Sequence, residues 1–187
     1  ASMAAGDRSE QEYRIKRPNG EIRHVSAISV AGRDPNGKLL KLTGVCFDIT
    51  ERKLAEIKLK QSETRLARII DELPIPIGVC STDESGTILS SNKAFISTFG
   101  YSPEELPDVR AWSILAYPDE TFRQYAFERW SASIAHALDH GGMVGPLEYP
   151  VVCKDGSIRD VIFSGVIVDD IITVTAQDVT ERRKAER

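Results

Sequence analysis

Cysteine is scarce: Cys46, Cys80 and Cys153 are widely spaced, with no Cys-x-x-Cys pair and no Cys/His cluster at ligand spacing. That argues against a structural metal and a disulfide framework, and it points to buried thiols in the cytoplasm. Long apolar runs are missing. None approaches the roughly 18 residues that a membrane span needs, and no signal-peptide pattern opens the chain, so this segment is expected to make no direct membrane contact. A basic stripe interleaved with aromatics is also lacking. The formal charge is −4, and the basic runs Arg52-Lys53 and Arg182-Arg183-Lys184 alternate with Glu, so no nucleic-acid partner is expected. Catalytic signatures are missing as well: there is no G-x-S-x-G, P-loop, H-E-x-x-H or G-x-G-x-x-G, and His24, His136 and His140 form no triad pattern. The segment reads as non-enzymatic.

What the chain does contain is a repeat. Residues 19–56 and 155–186 share a turn, an Ile-Arg pair after it, and an Asp-x-Thr-Glu-Arg ending. Glu12-Tyr13 and Glu148-Tyr149 each stand seven residues before the turn glycine, so the register extends upstream. Asn19-Gly20 and Asp155-Gly156 are signals for two-residue type I′ hairpins, and a second turn follows at Asp34–Gly37 or Asp169-Asp170. Each copy is therefore a three-stranded antiparallel meander. The first copy is six residues longer, most simply in its second turn. Each meander runs straight into a helix, with Asp48 or Thr50 and Asp178 or Thr180 as cap.

Between the copies lie two further segments. From Glu51 to about Leu73 no Gly or Pro interrupts a helical pattern. Ala55, Leu59, Ser62, Leu66, Ile69 and Leu73 form a short heptad seam, which suits either packing on its own domain or a dimeric coiled coil. Residues 74–154 then read as a hairpin about Asp83–Gly86, a short helix capped by Asn92 and ended by Gly100, and another short helix at the capping box Ser102-Pro103-Glu104-Glu105. A long amphipathic helix over 119–139 follows, with Phe122, Ala126, Trp130, Ile134 and Ala137 or Leu138 on one face.

In that order, Ser91-Asn92-Lys-Ala-Phe95, Phe99-Gly100-Tyr101-Ser102-Pro103-Glu104-Glu105-Leu106, Tyr117-Pro118-Asp119-Glu120, Lys154-Asp155-Gly156 and Asp178-Val-Thr180-Glu181-Arg182 resemble a PAS domain with its C-terminal PAC motif. The resemblance implies an α+β PAS fold: a five-stranded antiparallel sheet of strand order 2-1-5-4-3 with helices on the concave face. It implies four segments: the C-terminal half of a first PAS domain (1–50), a linker or signalling helix (51–73), a complete second PAS domain (74–180) and the start of an outgoing helix (181–187). The first module would then begin midway, leaving its last strand, about Leu39–Ile49, as an unpaired edge that recruits another chain.

The family's cavity implies a ligand or cofactor, with Phe95, Phe99, Trp112, Phe122, Trp130, Tyr149 and Phe163 as candidate lining residues; each of these also suits a plain hydrophobic core. Haem-binding members use a histidine at a place nearer Trp130 than His136 or His140, which argues against haem. The covalent flavin class needs a reactive cysteine where this chain has Ala111-Trp-Ser-Ile-Leu, and Gln177 is one residue out of that class's place. Non-covalent flavin or a small organic ligand stays open. In strand 158–168 both alternating sets are largely apolar, so both faces are expected to be covered.

Asp48, Thr50 and Arg52, with Asp178, Thr180 and Arg182, are the candidate signal-coupling residues. The motif they match ties the last strand to the departing helix. The resemblance implies a sensory module that dimerises through the linker helix and the exposed edge strand and drives an output domain such as a histidine kinase. The alternative is a ligand-free dimerisation and spacer module of a diguanylate cyclase or chemoreceptor.

Overall fold

A computed structural model describes residues 8–186; residues 1–7 and Arg187, within the expected first and last segments, lie outside the described residues. The chain divides into two compact units on either side of the Arg65–Leu66 bond.

The first unit holds the antiparallel strands β1 (Arg8–Lys16), β2 (Ile22–Arg33) and β3 (Leu39–Asp48), with β2 in the centre. Its first turn departs from the expected type I′. Arg17 and Glu21 close a longer loop through Arg17 N to Glu21 O (2.7 Å) and Gly20 N to Arg17 O (2.9 Å). Only Gly20 takes a positive φ, +86°. A type I′ turn needs two such residues, and Pro18, with its φ held near −65°, favours a type I turn followed by a glycine bulge. The six extra residues are also shared out: half lie in the 34–38 turn and half lengthen β2 and β3, which have 12 and 10 residues against 11 and 8 in the second copy. β3 is an edge, and Leu40, Leu42, Val45 and Phe47 along it are all exposed.

Helix α1 (Thr50–Glu72) follows. Only Thr50 in it is buried, and Leu59, Leu66 and Ile69 on the heptad seam stand exposed.

The second unit contains β4 (Ile77–Ser81), β5 (Ile88–Ser91), α2 (Lys93–Phe99), α3 (Val109–Ala116), α4 (Glu120–Asp139), β6 (Met143–Val152), β7 (Ile158–Val168), β8 (Ile171–Asp178) and α5 (Thr180–Glu186). Its sheet is antiparallel in the order β5-β4-β8-β7-β6, the order implied by the resemblance. The two copies keep one register: Tyr13, Val25 and Asp48 are aligned across three strands as Tyr149, Val161 and Asp178 are.

Local chemistry places the helices. Asn92 and Gly100 bracket α2 as expected, the glycine at φ +82°. The capping box at Ser102 gives only a single 3-10 turn, Pro103–Glu105, because Pro107 stops further winding. Asp108 then caps α3 by accepting from Ala111 N at 2.7 Å, and Asp119 caps α4 through Phe122 N at 2.7 Å. On α4 it is Ala137 that is buried, while Leu138 is exposed.

The core lies between these helices and one face of the sheet, built from Phe95, Phe99, Leu106, Tyr149, Val151, Val161, Phe163 and their neighbours. Along β7 only one of the two apolar faces is covered. Val161, Phe163 and Gly165 are buried, whereas Ile158, Val166 and Val168 on the other face are exposed. Among the described residues no helix is long and apolar enough to cross a membrane, and no group of His, Cys, Asp and Glu is set to hold a metal ion.

Candidate functional site: a cavity and its helix latches

A cavity of about 110 Å³ lies inside the second unit. Its floor is sheet: Gly78, Val79 and Cys80 of β4, Tyr149 of β6, Phe163 of β7 and Val174 of β8. Its roof is helical: Phe95 from α2, Val109, Trp112 and Ser113 from α3, and Arg123, Ala126, Phe127 and Trp130 from α4, with Tyr117 between α3 and α4. Five of the seven sequence-derived aromatic candidates are in this wall: Phe95, Trp112, Trp130, Tyr149 and Phe163.

Phe99 and Phe122 stand behind the wall. Phe99 packs edge-on against Phe95 and Trp112, with ring centroids 4.8 and 5.2 Å away, and Phe122 packs against Tyr117 and Tyr149. The sequence reading missed Tyr117, Arg123 and the contribution of α3. The signal for α3 was present: Asp108 is a good cap, and Val109, Trp112 and Ala116 fall at helical spacing.

The lining is nearly all carbon. Arg123 brings the one formal charge into it, and its Nη1 is engaged with the carbonyls of Tyr117 (2.8 Å) and Pro118 (3.2 Å). Burial pushes the Cys80 thiol up to about 11, so it is protonated and a poor nucleophile at neutral pH. Burial also raises Tyr117 and Tyr149 above the usual phenol range.

Pockets for molecules of drug size run to roughly 300–1,000 Å³, well above the volume of this cavity. His136 and His140 are stacked on each other at the end of α4 and do not line the wall. Gln177 is exposed on β8, three residues beyond the wall residue Val174.

Below the cavity β8 runs into a latch. Asp178 Oδ1 accepts from Thr180 N (2.9 Å) and from Thr180 Oγ1 (2.5 Å), while Asp178 Oδ2 takes Arg159 Nη1 at 2.6 Å. Thr180 Oγ1 in turn accepts from Asp160 N at 2.9 Å, tying the first residue of α5 to β7. The first copy repeats this: Asp48 Oδ1 holds Thr50 N (3.0 Å) and Oγ1 (2.5 Å), Arg23 Nη1 reaches Asp48 Oδ2 at 3.4 Å, and His24 N donates to Thr50 Oγ1 at 2.9 Å.

The threonines are thus the first helical residues rather than caps, and each aspartate grips the helix from two residues before it. Hydrogen bonds from Thr50 hold the Asp48 carboxyl below its usual range. For Asp178 burial works upward, but the Thr180 and Arg159 bonds outweigh it and the net shift is down.

Arg52 and Arg182 do not join these latches. Arg52 pairs with Glu12 at 2.7 Å, and Arg182 with Glu186 on its own helix at 2.9 Å. The cations that reach back to the meander in both copies are the next residues, Lys53 to Glu12 (2.6 Å) and Arg183 to Glu148 (2.5 Å). The repeated Ile-Arg pair was the sequence signal for Arg23 and Arg159.

Comparison with known proteins agrees with this architecture. A family model described as PAS domain matches residues 76–181, and one described as PAS fold matches residues 1–46. The chain belongs to the PAS domain family, a family of sensory signalling modules. Among curated proteins it is similar to the uncharacterized protein y4lL of Sinorhizobium fredii (strain NBRC 101917 / NGR234), 26% identical over 196 residues; the match covers 100% of this chain and 22% of that protein, so the chain spans about a fifth of the relative's length. Among solved structures it is similar in fold to an RNA-binding light-oxygen-voltage receptor, at 12% identity and a TM-score of 0.51 over 98% of this chain and 81% of that one. The PAS domain of an HTR-like protein from Haloarcula marismortui gives 21% identity and a TM-score of 0.49, covering 67% of this chain and 98% of that one.

Proposed function

We propose that residues 74–180 form a sensor whose cavity takes a small organic ligand, and that the latch at Asp178 and Thr180 passes the resulting shift of the sheet to α5 and on to an output domain such as a histidine kinase. Residues 1–50 act as a companion module with its own latch, and residues 51–73 link the two. The observation that carries this reading is continuity. β8 contributes Val174 to the cavity wall and, four residues on, Asp178 to the grip on α5. A cytoplasmic setting accords with the three free cysteines. Native mass spectrometry of the purified chain, followed by thermal-shift screening, identifies a ligand. A molecule that raises the melting temperature must also change hydrogen exchange over residues 180–186. Exchange identical with and without it refutes transmission.

A second reading is favoured by the uncovered seam of α1 and the apolar β3 edge. In it the segment is a homodimerisation and spacer module without a ligand, of the kind a diguanylate cyclase or chemoreceptor carries. Light scattering at high concentration decides the dimer: a monomer there rejects pairing through α1 and β3.

A further inference from the structure

The C-terminal end of α1 poses a bonding problem. The last carbonyls of a helix have no partner within it and are commonly met by a glycine in the left-handed conformation. After Glu72 the chain reads Leu73-Pro74-Ile75-Pro76, with no glycine and with two residues that lack an N–H. Leu73 N reaches Ile70 O at 3.3 Å, and a second, shorter donor to that carbonyl comes from elsewhere in the sequence. The Asn92 side-chain amide Nδ2 lies 3.0 Å from Ile70 O, 2.9 Å from Ile75 O and 3.4 Å from Leu73 O. Its Oδ1 accepts from Ile77 N at 2.9 Å and Phe95 N at 3.0 Å. One side chain, on a residue only 4% exposed, thus closes the end of α1, the start of β4 and the first turn of α2 on one another.

Those same segments carry cavity wall. Ser91 precedes Asn92, Phe95 is the residue whose amide it holds, and Gly78 follows Ile77; all three line the cavity. A Cβ built on Gly78 would stand 3.8 Å from the Phe95 ring, so that ring rests on the bare β4 backbone. An outer pair of contacts covers the joint: Lys93 Nζ meets Asp71 at 3.1 Å and Glu72 at 2.6 Å.

We infer that Asn92 is a clamp through which the end of α1 sets the shape of the cavity, so that the linker helix and whatever occupies the cavity bias each other. Two N–H groups shared among three carbonyls, with two further bonds accepted by Oδ1, all rest on one buried amide and make the joint all-or-none. Drawing α1 away leaves buried donors and acceptors unpaired, which costs more than the bonds contribute when made. The joint therefore does not stretch. It either stays seated or releases Phe95 with it. Reciprocity follows, because a ligand that changes the seat of Phe95 changes the grip on α1 by the same factor. The inference relies on the cavity as sensing site only for its purpose; the clamp is testable with no ligand present.

The two tryptophans of the chain, Trp112 and Trp130, both line the cavity and report on it without labels. Asn92→Asp keeps both acceptor bonds and removes the donor to α1. The expected result is exchange about tenfold faster at the last-turn amides of α1, with β6–β8 unchanged, together with greater acrylamide quenching of the tryptophans. Lys93→Ala, which removes only the outer contacts, leaves quenching as in the wild type.

If Asn92→Asp does not fold, Ile70→Gly decides. It loosens the exposed end of α1, none of whose side chains lines the cavity, and must still raise quenching. Faster exchange at α1 with unchanged quenching in both variants would overturn the coupling and leave Asn92 a cap. Unchanged exchange in folded Asn92→Asp would overturn the clamp itself. Either result leaves ligand binding and the Asp178 latch to be judged by their own tests.

Discussion

Asp178→Ala removes three contacts at once: the two bonds from Thr180 to Oδ1 and the Arg159 bond to Oδ2. A side-chain acceptor at a helix start contributes about 0.5–2 kcal/mol. A fully buried bond to a charged group contributes about 1.5–3 kcal/mol. Here the side chains of Arg159 and Asp178 are 37% and 28% exposed, so screening reduces the ionic share to the low end and the expected total is about 1–2 kcal/mol.

For a unit of this size that loss lowers the melting temperature by roughly 4–8 °C. Urea unfolding followed by tryptophan fluorescence measures it, since both tryptophans lie in the second unit. Asp178→Asn keeps an acceptor for Thr180 and loses the charge, so it falls between wild type and Asp178→Ala. Hydrogen exchange over residues 180–183 should quicken in step. A stability change under about 0.3 kcal/mol with unaltered exchange would refute the latch as an energetic joint.

The pH dependence has a definite sign. The folded Asp178 carboxyl sits below its usual value, so its contribution is whole above the unfolded value of about 3.9 and is lost as pH falls from there through the lower folded value.

Three further outcomes follow from burial. In the native protein a thiol reagent should modify Cys46 fast and leave Cys80 and Cys153 slow at pH 7 to 8, because Cys46 alone is exposed and burial keeps Cys80 protonated; a second fast thiol before unfolding would contradict the packing of β4 or β6–β7. Phe99→Ala, at a site 1% exposed, should cost about 3–5 kcal/mol in urea unfolding, while Phe127→Ala on the exposed rim should stay within about 0.5 kcal/mol; equal costs would misplace the core. Val45→Lys on the β3 edge should leave the fold intact and shift any dimer toward monomer in light scattering, because a charged edge disfavours strand pairing, and an undiminished dimer would remove β3 from the interface.

The meanders and the order of elements in 74–180 were legible because turn signals, alternation and caps are local. The turn type was not. Asn-Gly and Asp-Gly suggested type I′ turns, but in each copy the glycine alone takes a positive φ, and the second copy closes the same loop with Lys154 where the first has Pro18. Helix α3 escaped notice because its eight residues carry few periods of pattern, although Asp108 announced its start.

The latch was half legible. Asp and Thr stand out in a motif, whereas Arg159 is 19 residues from its partner and shows itself only through the repeated Ile-Arg. Repeated identity singles out Arg52 and Arg182, whereas the position that reaches the meander in both copies is the next one, Lys53 or Arg183, with Arg52 joining it in the first copy. Asn92 was readable as a cap and not as a clamp, since sequence alone cannot show which distant carbonyls its amide reaches.

The two latches differ in their ionic contacts. Glu12 receives two cations from α1, Arg52 at 2.7 Å and Lys53 at 2.6 Å, whereas among the described residues Glu148 receives Arg183 alone from α5. All of these groups are substantially exposed, so each pair contributes little alone and less as salt rises. The aspartate and threonine bonds, present in both copies, set the common strength of the joint. The second latch in turn has the shorter guanidinium contact, Arg159 to Asp178 at 2.6 Å against Arg23 to Asp48 at 3.4 Å, so the extra cation on Glu12 does not by itself make the start of α1 the more firmly held.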